Sequence, residues 1–390
     1  MSIATAVAIA TTRLKVPYTV ALVVVGTGLG ATHLSSPVHL TKGLLYAVFL
    51  PGLIFEAAYN LTITELRQNL RAIFALAVPG VIMAMAATAA ILVFSTDALT
   101  STPKVGWSHA LVFSALIAAT DPIAVVALFK TLGAPRRLAV LVEGESLVND
   151  GTAAVLYTIV LGAATGEKSA TLASGAIEFV VVVGGGALVG VVIGFFASRL
   201  RRRTVEPMIE IALTTLAAYG SFALAEQLHV SGIIATLVAG LVCRAQARPE
   251  LCSEASNIAV ESFWTYAAFA LNSLVFLLIG FEVRMGQLLA AWRPIVLAFI
   301  AVTLGRAVVV GIVSLLLQPT KERLPWTHGV VLTWGGLRGA LSMVLALAIP
   351  DTIPERQLIV TTTFGVVVLS IVLQGLTAGP LLKKLGVAPR

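Results

Sequence analysis

From Thr171 to Ser198 the chain reads TLASGAIEFVVVVGGGALVGVVIGFFAS, and Arg199-Leu200-Arg201-Arg202-Arg203 follows. One charge, Glu178, interrupts a run long enough to cross a hydrocarbon core of ~30 Å as a helix rising ~1.5 Å per residue. The apolar residues are continuous, without the polar/apolar alternation of a membrane β-strand. Comparable runs fill the chain. Of 390 residues, 58% are hydrophobic and 12% charged, about half the ~25% charge of a soluble domain. A water-soluble enzyme could not hide that much apolar surface, and a disordered chain would not carry it. The sequence predicts an all-α, polytopic membrane protein.

The runs give spans at 2–12, 16–32, 40–60, 71–95, 107–130, 138–164, 171–198, 206–228, 230–246, 259–281, 287–317, 326–349 and 356–382, about 13 transmembrane helices. The first is short for a simple crossing. The whole chain, 1–390, reads as a single transmembrane transporter domain. Six spans precede the seventh and six follow it. The halves 1–165 and 205–390, joined by a linker helix over 171–200, therefore have opposite topology, as in an inverted repeat.

With the N-terminus outside, Lys42, Lys104, Lys168, Arg284, Arg293 and Arg356 fall outside and most of the 26 Lys and Arg fall inside, the positive-inside pattern. The C-terminus is then cytoplasmic. The Arg199–Arg203 cluster reads as a topogenic loop rather than a site for anionic lipid. The net charge of +7 is the same retention signal, not a nucleic-acid surface. Met1 is not followed by a charged n-region and an A-x-A-like site, so no cleavable signal peptide is expected. Cys243 and Cys252 specify neither disulfide nor metal site. His33, His39 and His109 read as exposed outer histidines rather than pH sensors.

Charges deep in a bilayer are expensive. Here they are Glu56, Asp121, Glu143, Glu145, Asp150, Glu226, Glu261, Arg306 and Arg338. Glu226 and Glu261 lie near span ends, and Arg306 is expected to pair with a carbonyl or an acid. Span five contains Ala119-Thr120-Asp121-Pro122; proline removes a backbone donor and turns its predecessor away from helix. Span twelve contains Gly335-Gly336-Leu337-Arg338-Gly339. Interrupted helices at matching positions of two halves point to a transporter's binding site. Span six carries Glu143-Gly144-Glu145-Ser146-Leu147-Val148-Asn149-Asp150. Glu145 and Asn149, four apart, share one helix face, and Ser146 lies on the face of Asp150. The Ser146 hydroxyl, the Asp150 carboxylate and a carbonyl near Thr120 are hard oxygen ligands suited to a small alkali cation.

In order, Leu50-Pro51-Gly52-Leu53-Ile54-Phe55-Glu56, Thr120-Asp121-Pro122, Glu145-Ser146-Leu147-Val148-Asn149-Asp150 and Gly336-Leu337-Arg338-Gly339 resemble the NhaP-type sodium/proton antiporters of the monovalent cation:proton antiporter-1 family. The resemblance covers nearly the whole chain. It implies that Asp150 binds a proton or Na+, with Ser146, the Thr120 carbonyl and Glu56 in the ion shell and Asn149 acting through water or by holding the crossing. It implies a structural ion pair between Glu145 and Arg338, with Asp121 offsetting a half-helix dipole at the crossing. It further implies a core bundle of spans three to five and ten to twelve, or a similar set including span six, moving against a dimerisation scaffold, hence a homodimer. No cofactor beyond the transported Na+ and H+ is implied. The short stretch after the last span fits a prokaryotic inner-membrane protein.

A buried carboxylate without a permanent partner is open to competition between proton and cation. Crossing while empty and charged costs several kcal/mol, so exchange becomes obligatory, and one carboxylate makes it one for one and electroneutral. Na+ is the expected cation, with Li+ or K+ as variants. The alternative is a sodium-coupled symporter of an organic anion, which needs a cationic group to spare. An intramembrane aspartyl protease built on Asp121 and Asp150 lacks a Gly-x-Gly-Asp run, and a channel needs no single buried carboxylate. The protein is expected to be no enzyme.

Overall fold

The structure, a computed structural model, describes residues 2–14, 17–31, 41–98, 105–166, 171–204, 206–247 and 254–387. His33, His39 and Cys252 lie outside them. The described residues form helices and no strand. Seven stretches are long and apolar enough to cross a membrane: Leu70–Thr96, Arg136–Ala164, Ala173–Arg201, Pro207–Gln227, Glu254–Glu282, Trp292–Leu317 and Arg356–Lys384. Shorter apolar helices run over Ser2–Thr11, Tyr18–Gly30, Trp107–Leu116 and Gly232–Gln246. Ile177, Val180, Leu188, Phe195 and Phe196 stand outward from one helix, as lipid-facing side chains do. The protein is an integral, multi-pass membrane protein.

The chain forms two compact units that interleave along the sequence. The first holds Met1–Lys42, Asn69–Ala170 and Val275–Arg390; the second holds Gly43–Gln68 and Thr171–Leu274. This differs from the expected core bundle. Span three and most of span ten fall with spans seven to nine, whereas spans one, two and thirteen fall with the other group. The cause is packing that a span count cannot show.

In the second unit, Leu172–Arg201 packs along Gly232–Gln246. Gly186, Gly190 and Gly194 repeat every four residues on one face, against the carbonyls of Ser231, Ala235 and Ala239, themselves four apart. Without a hydrophobic force between helices in lipid, such close backbone approach supplies the packing. A Cβ at Gly190 would meet the Ala235 carbonyl oxygen, whereas one at Gly184 would meet open space. Gly190→Val should therefore lower the melting temperature by several degrees and Gly184→Val should not; thermal-shift size-exclusion in detergent distinguishes them, and equal curves would refute the packing argument.

Arg201 corrects the reading of the basic cluster as a loop. It is 1% exposed and paired at 2.6 Å with Glu210, which is 0% exposed. Its guanidinium also donates to Asn257 Oδ1 at 3.3 Å and Tyr59 Oη at 3.5 Å. Glu210 returns one turn into the next helix, so the helix-end arginine is drawn inward rather than left in water.

Candidate functional site

The first unit brings together a continuous helix and two broken ones. Helix Arg136–Ala164 carries Glu145, Ser146, Asn149 and Asp150. Trp107–Leu116 stops, and its continuation Ile123–Leu132 begins past Pro122. Trp326–Trp334 stops at Gly335 and resumes at Ala340–Leu347. The expected breaks fall where Pro and Gly put them. The two breaks join through their backbones, the Asp121 N–H donating to the Leu337 carbonyl at 2.7 Å.

A broken helix leaves carbonyls at one end and N–H groups at the other. Both ends here find partners. Arg338 Nη1 donates to the carbonyls of Ile117 at 2.7 Å, Ala118 at 2.8 Å and Ala119 at 3.3 Å, placing a cation at the negative end of a half-helix. Asp121 Oδ1 accepts the Ile123 N–H at 3.0 Å, placing a carboxylate at the positive end of the next half. Ser370 Oγ accepts the Arg338 N–H at 2.8 Å. Gly339 packs directly on Asp121. A Cβ there would lie 2.5 Å from Asp121 Cβ and 2.6 Å from Oδ2, so the crossing needs glycine for space. Displacing reacting groups by about 1 Å costs on the order of 10²-fold. Gly339→Ala should accordingly lower exchange by one to two orders of magnitude at unchanged expression; a wild-type rate would mean the crossing yields freely.

Glu145 is the clearest correction. Its ion-pair partner is Arg306, not Arg338. Arg306 Nη1 and Nη2 reach Glu145 Oε1 at 3.1 Å and Oε2 at 3.0 Å, a two-point clamp, and Arg306 Nε donates to the Leu332 carbonyl at 2.8 Å. Arg338 is taken up by the broken-helix carbonyls instead. Sequence reasoning gave Arg306 a carbonyl or an acid, and it has both; what it missed was which acid. The role of Ser370 had no sequence signal.

Ser146 Oγ donates to the Thr120 carbonyl. Asn149 Nδ2 lies 3.0 Å from Thr120 Oγ1, 3.2 Å from the Ala118 carbonyl and 3.2 Å from Glu145 Oε1. Glu145, Ser146 and Asn149 are buried. A cavity of about 20 Å³, lined among others by Ala118, Glu145, Asn149, Arg306 and Arg338, has room for one water. Among the described residues, two buried oxygens here take no hydrogen bond, Asn149 Oδ1 and Asp150 Oδ1. The charged neighbours of Asp150 are Asp121 and Glu145. So one carboxylate of the cluster is clamped by Arg306 and one caps a helix, whereas Asp150, which accepts a backbone hydrogen bond from Thr120, keeps its Oδ1 without a partner among the described residues and stands beside two further acids. Glu56 belongs to the second unit, where Asn60 Nδ2 donates to its Oε1 at 2.6 Å. Among the described residues, Arg306 and Arg338, the two arginines at the crossing, are both engaged, which disfavours the organic-anion symporter. No group of three or more His, Cys, Asp or Glu suited to a metal occurs among the described residues.

A multi-pass helical protein whose two broken helices cross beside an uncompensated carboxylate has the architecture of a secondary transporter. The sequence matches the family described as sodium/hydrogen exchanger, transmembrane, over residues 1–384. The Na(+)/H(+) antiporter ApNhaP of Aphanothece halophytica is 37% identical over 375 residues, covering 95% of this chain and 70% of that protein. The Na(+)/H(+) antiporter NhaP of Pseudomonas aeruginosa is 38% identical over 352 residues, covering 88% and 81%. The solved sodium proton antiporter MjNhaP1 of Methanocaldococcus jannaschii shares the fold at a TM-score of 0.80 and 19% identity, over 98% of this chain and 96% of that one. The chain belongs to the sodium/hydrogen exchanger family, as an NhaP-type member, and is a transporter rather than an enzyme.

Proposed function

We propose that the protein exchanges Na+ for H+ across a prokaryotic plasma membrane, one for one and without net charge movement. The observation that carries this is Asp150: a carboxylate with a buried, unpartnered oxygen among the described residues, beside two further acids and on a helix next to the Thr120 carbonyl and the Ser146 hydroxyl. Proton and Na+ compete for it. Na+ takes oxygens from Asp150, the Thr120 backbone and Ser146, and Asn149 contributes through its unpartnered Oδ1 or a bridging water. Glu145 is clamped by Arg306 and takes no part in the exchange. Empty, Asp150 would carry an uncompensated charge through the membrane at a cost of about 2.5–3.5 kcal/mol or more, so the carrier moves loaded. The basic residues orient the protein with the N-terminus outside and the C-terminus cytoplasmic, and the homodimer implied by the resemblance belongs to the same reading.

The test is proton movement in sealed proteoliposomes under an imposed pH gradient. Na+, Li+ and K+ are added separately, with and without valinomycin and K+ to clamp the potential. Cation-dependent dissipation indifferent to the clamp is the expected result. A response that follows the potential would overturn the one-for-one stoichiometry, and silence toward every alkali cation would overturn the assignment.

A further inference from the structure

Away from the carboxylate site, the first unit carries an open groove of about 820 Å³ between helices Trp292–Leu317, Trp326–Trp334 and Gly375–Lys384. That is within the ~300–1,000 Å³ of small-molecule sites. Its walls are mainly apolar, with Gly311, Leu315, Val330 and Leu381 among the lining residues. Ser314, Thr333 and Thr377 place polar groups along it, and one end is marked by the helix termini at Gln318, Trp326 and Lys384. Lys384 and Gln318 line the groove there, and Trp326, also lining it, is 71% exposed, as expected of an aromatic anchor at a membrane surface. Gln318 and Leu324 both line the groove and bracket a loop carrying Lys321, Glu322 and Arg323. Glu322 is turned away, its Oε2 accepting the Ala72 N–H at 2.8 Å. Lys321 and Arg323 are exposed, as are Lys383 and Lys384. Lys384 thus lines the apolar groove, and exposed basic residues flank its lining residues in sequence, Lys383 beside Lys384 and Lys321 and Arg323 between Gln318 and Leu324, while the acid of that loop, Glu322, is held by the Ala72 N–H.

We propose that this groove binds an anionic phospholipid, its acyl chain against the apolar walls and its phosphate at the Lys384 end. Charge complementarity selects the headgroup, because an apolar groove alone would take any lipid, while Lys384 in its lining, with the exposed Lys383, Lys321 and Arg323 next to lining residues in sequence, favours a net negative one. The position gives the lipid leverage on transport. One wall, Trp326–Trp334, is the half-helix that ends at Gly335, where the break carrying Arg338 and Gly339 begins. The Trp334 indole N–H donates to Thr377 Oγ1 at 2.8 Å, tying that half-helix to the opposite wall. A chain filling the groove holds both walls and hence the near side of the crossing.

The experiment is native mass spectrometry of the purified full chain with dioleoylphosphatidylglycerol, dioleoylphosphatidylcholine or soluble glycerol phosphate, paired with transport in liposomes with and without phosphatidylglycerol. Phosphatidylglycerol should be retained and phosphatidylcholine should not. Lys383→Gln with Lys384→Gln, both on the surface, should weaken retention about five-fold per lysine. Gly311→Phe should abolish it: a Cβ there meets no atom within 4 Å, so the ring can occupy the groove without displacing backbone. Exchange by that variant should no longer respond to phosphatidylglycerol. Equal retention of both lipids, no retention at all, retention untouched by Gly311→Phe, or competition by glycerol phosphate as strong as by the whole lipid would each overturn the proposal. None of these binding outcomes depends on which ion is carried, so failure here is separable from failure of the exchange reading.

Discussion

Asp150→Asn should reduce cation-dependent proton movement to that of protein-free liposomes, with expression and melting temperature preserved or improved. Asparagine keeps the shape of the side chain and removes its charge, while turning one acceptor oxygen into an NH2 donor. Every other acid of the cluster already has an assigned partner: Glu145 is held by two Arg306 nitrogens, and Asp121 accepts the Ile123 N–H. Asp150 is the acid at the crossing with a buried oxygen that takes no hydrogen bond among the described residues, and on the proposed mechanism its charge is compensated by cargo. Removing it eliminates both loaded states at once, since the amide neither releases a proton nor neutralises Na+. Stability should not suffer, because a buried carboxylate with an oxygen that takes no hydrogen bond is a cost to the fold. Robust exchange by Asp150→Asn would falsify the mechanism. A variant both inactive and unfolded would instead make Asp150 a structural residue.

Much of this site is legible in the sequence, for a physical reason. Pro122 and Gly335, Gly336 and Gly339 interrupt otherwise helical apolar runs, and backbone chemistry alone places a break there. The fourfold spacing of Glu145 and Asn149, and of Ser146 and Asp150, follows from helix periodicity. Ion-pair partners are different. Arg306 and Arg338 both lie within apolar spans, and which one meets Glu145 depends on depth and helix rotation, set by packing against other helices. Gly336 shows how local that is: a Cβ there would collide with the Arg306 guanidinium, so the glycine makes room for the arginine that reaches Glu145. The grouping of spans was hidden for the same reason. It rests on contacts such as Gly190 on Ala235, distant in sequence, and on Arg201, which looks like a loop charge until Glu210 is seen beside it.

The corrected pairing gives the second large effect. Arg306→Ala should lower stability by about 3–5 kcal/mol, because it leaves Glu145, 2% exposed, as an unpaired buried charge. Adding Glu145→Gln should recover most of that loss, since a neutral amide can be held by hydrogen bonds without a counter-charge. Arg338→Ala should behave differently. It uncovers the carbonyls of Ile117, Ala118 and Ala119, and no change at Glu145 can satisfy those, so Glu145→Gln should fail to rescue it. The comparison is a double-mutant cycle read by thermal or denaturant unfolding in detergent. Coupling of Glu145 to Arg306 and not to Arg338 is expected; the reverse would restore the Glu145–Arg338 pair. The consequence for transport follows from the same geometry. With Glu145 permanently neutralised by Arg306 and Arg338 spent on the broken helix, neither arginine is left to compensate Asp150. A double variant Arg306→Ala/Glu145→Gln that folds should therefore still exchange ions, because its net charge at the crossing is unchanged and the carboxylate that binds cargo is intact.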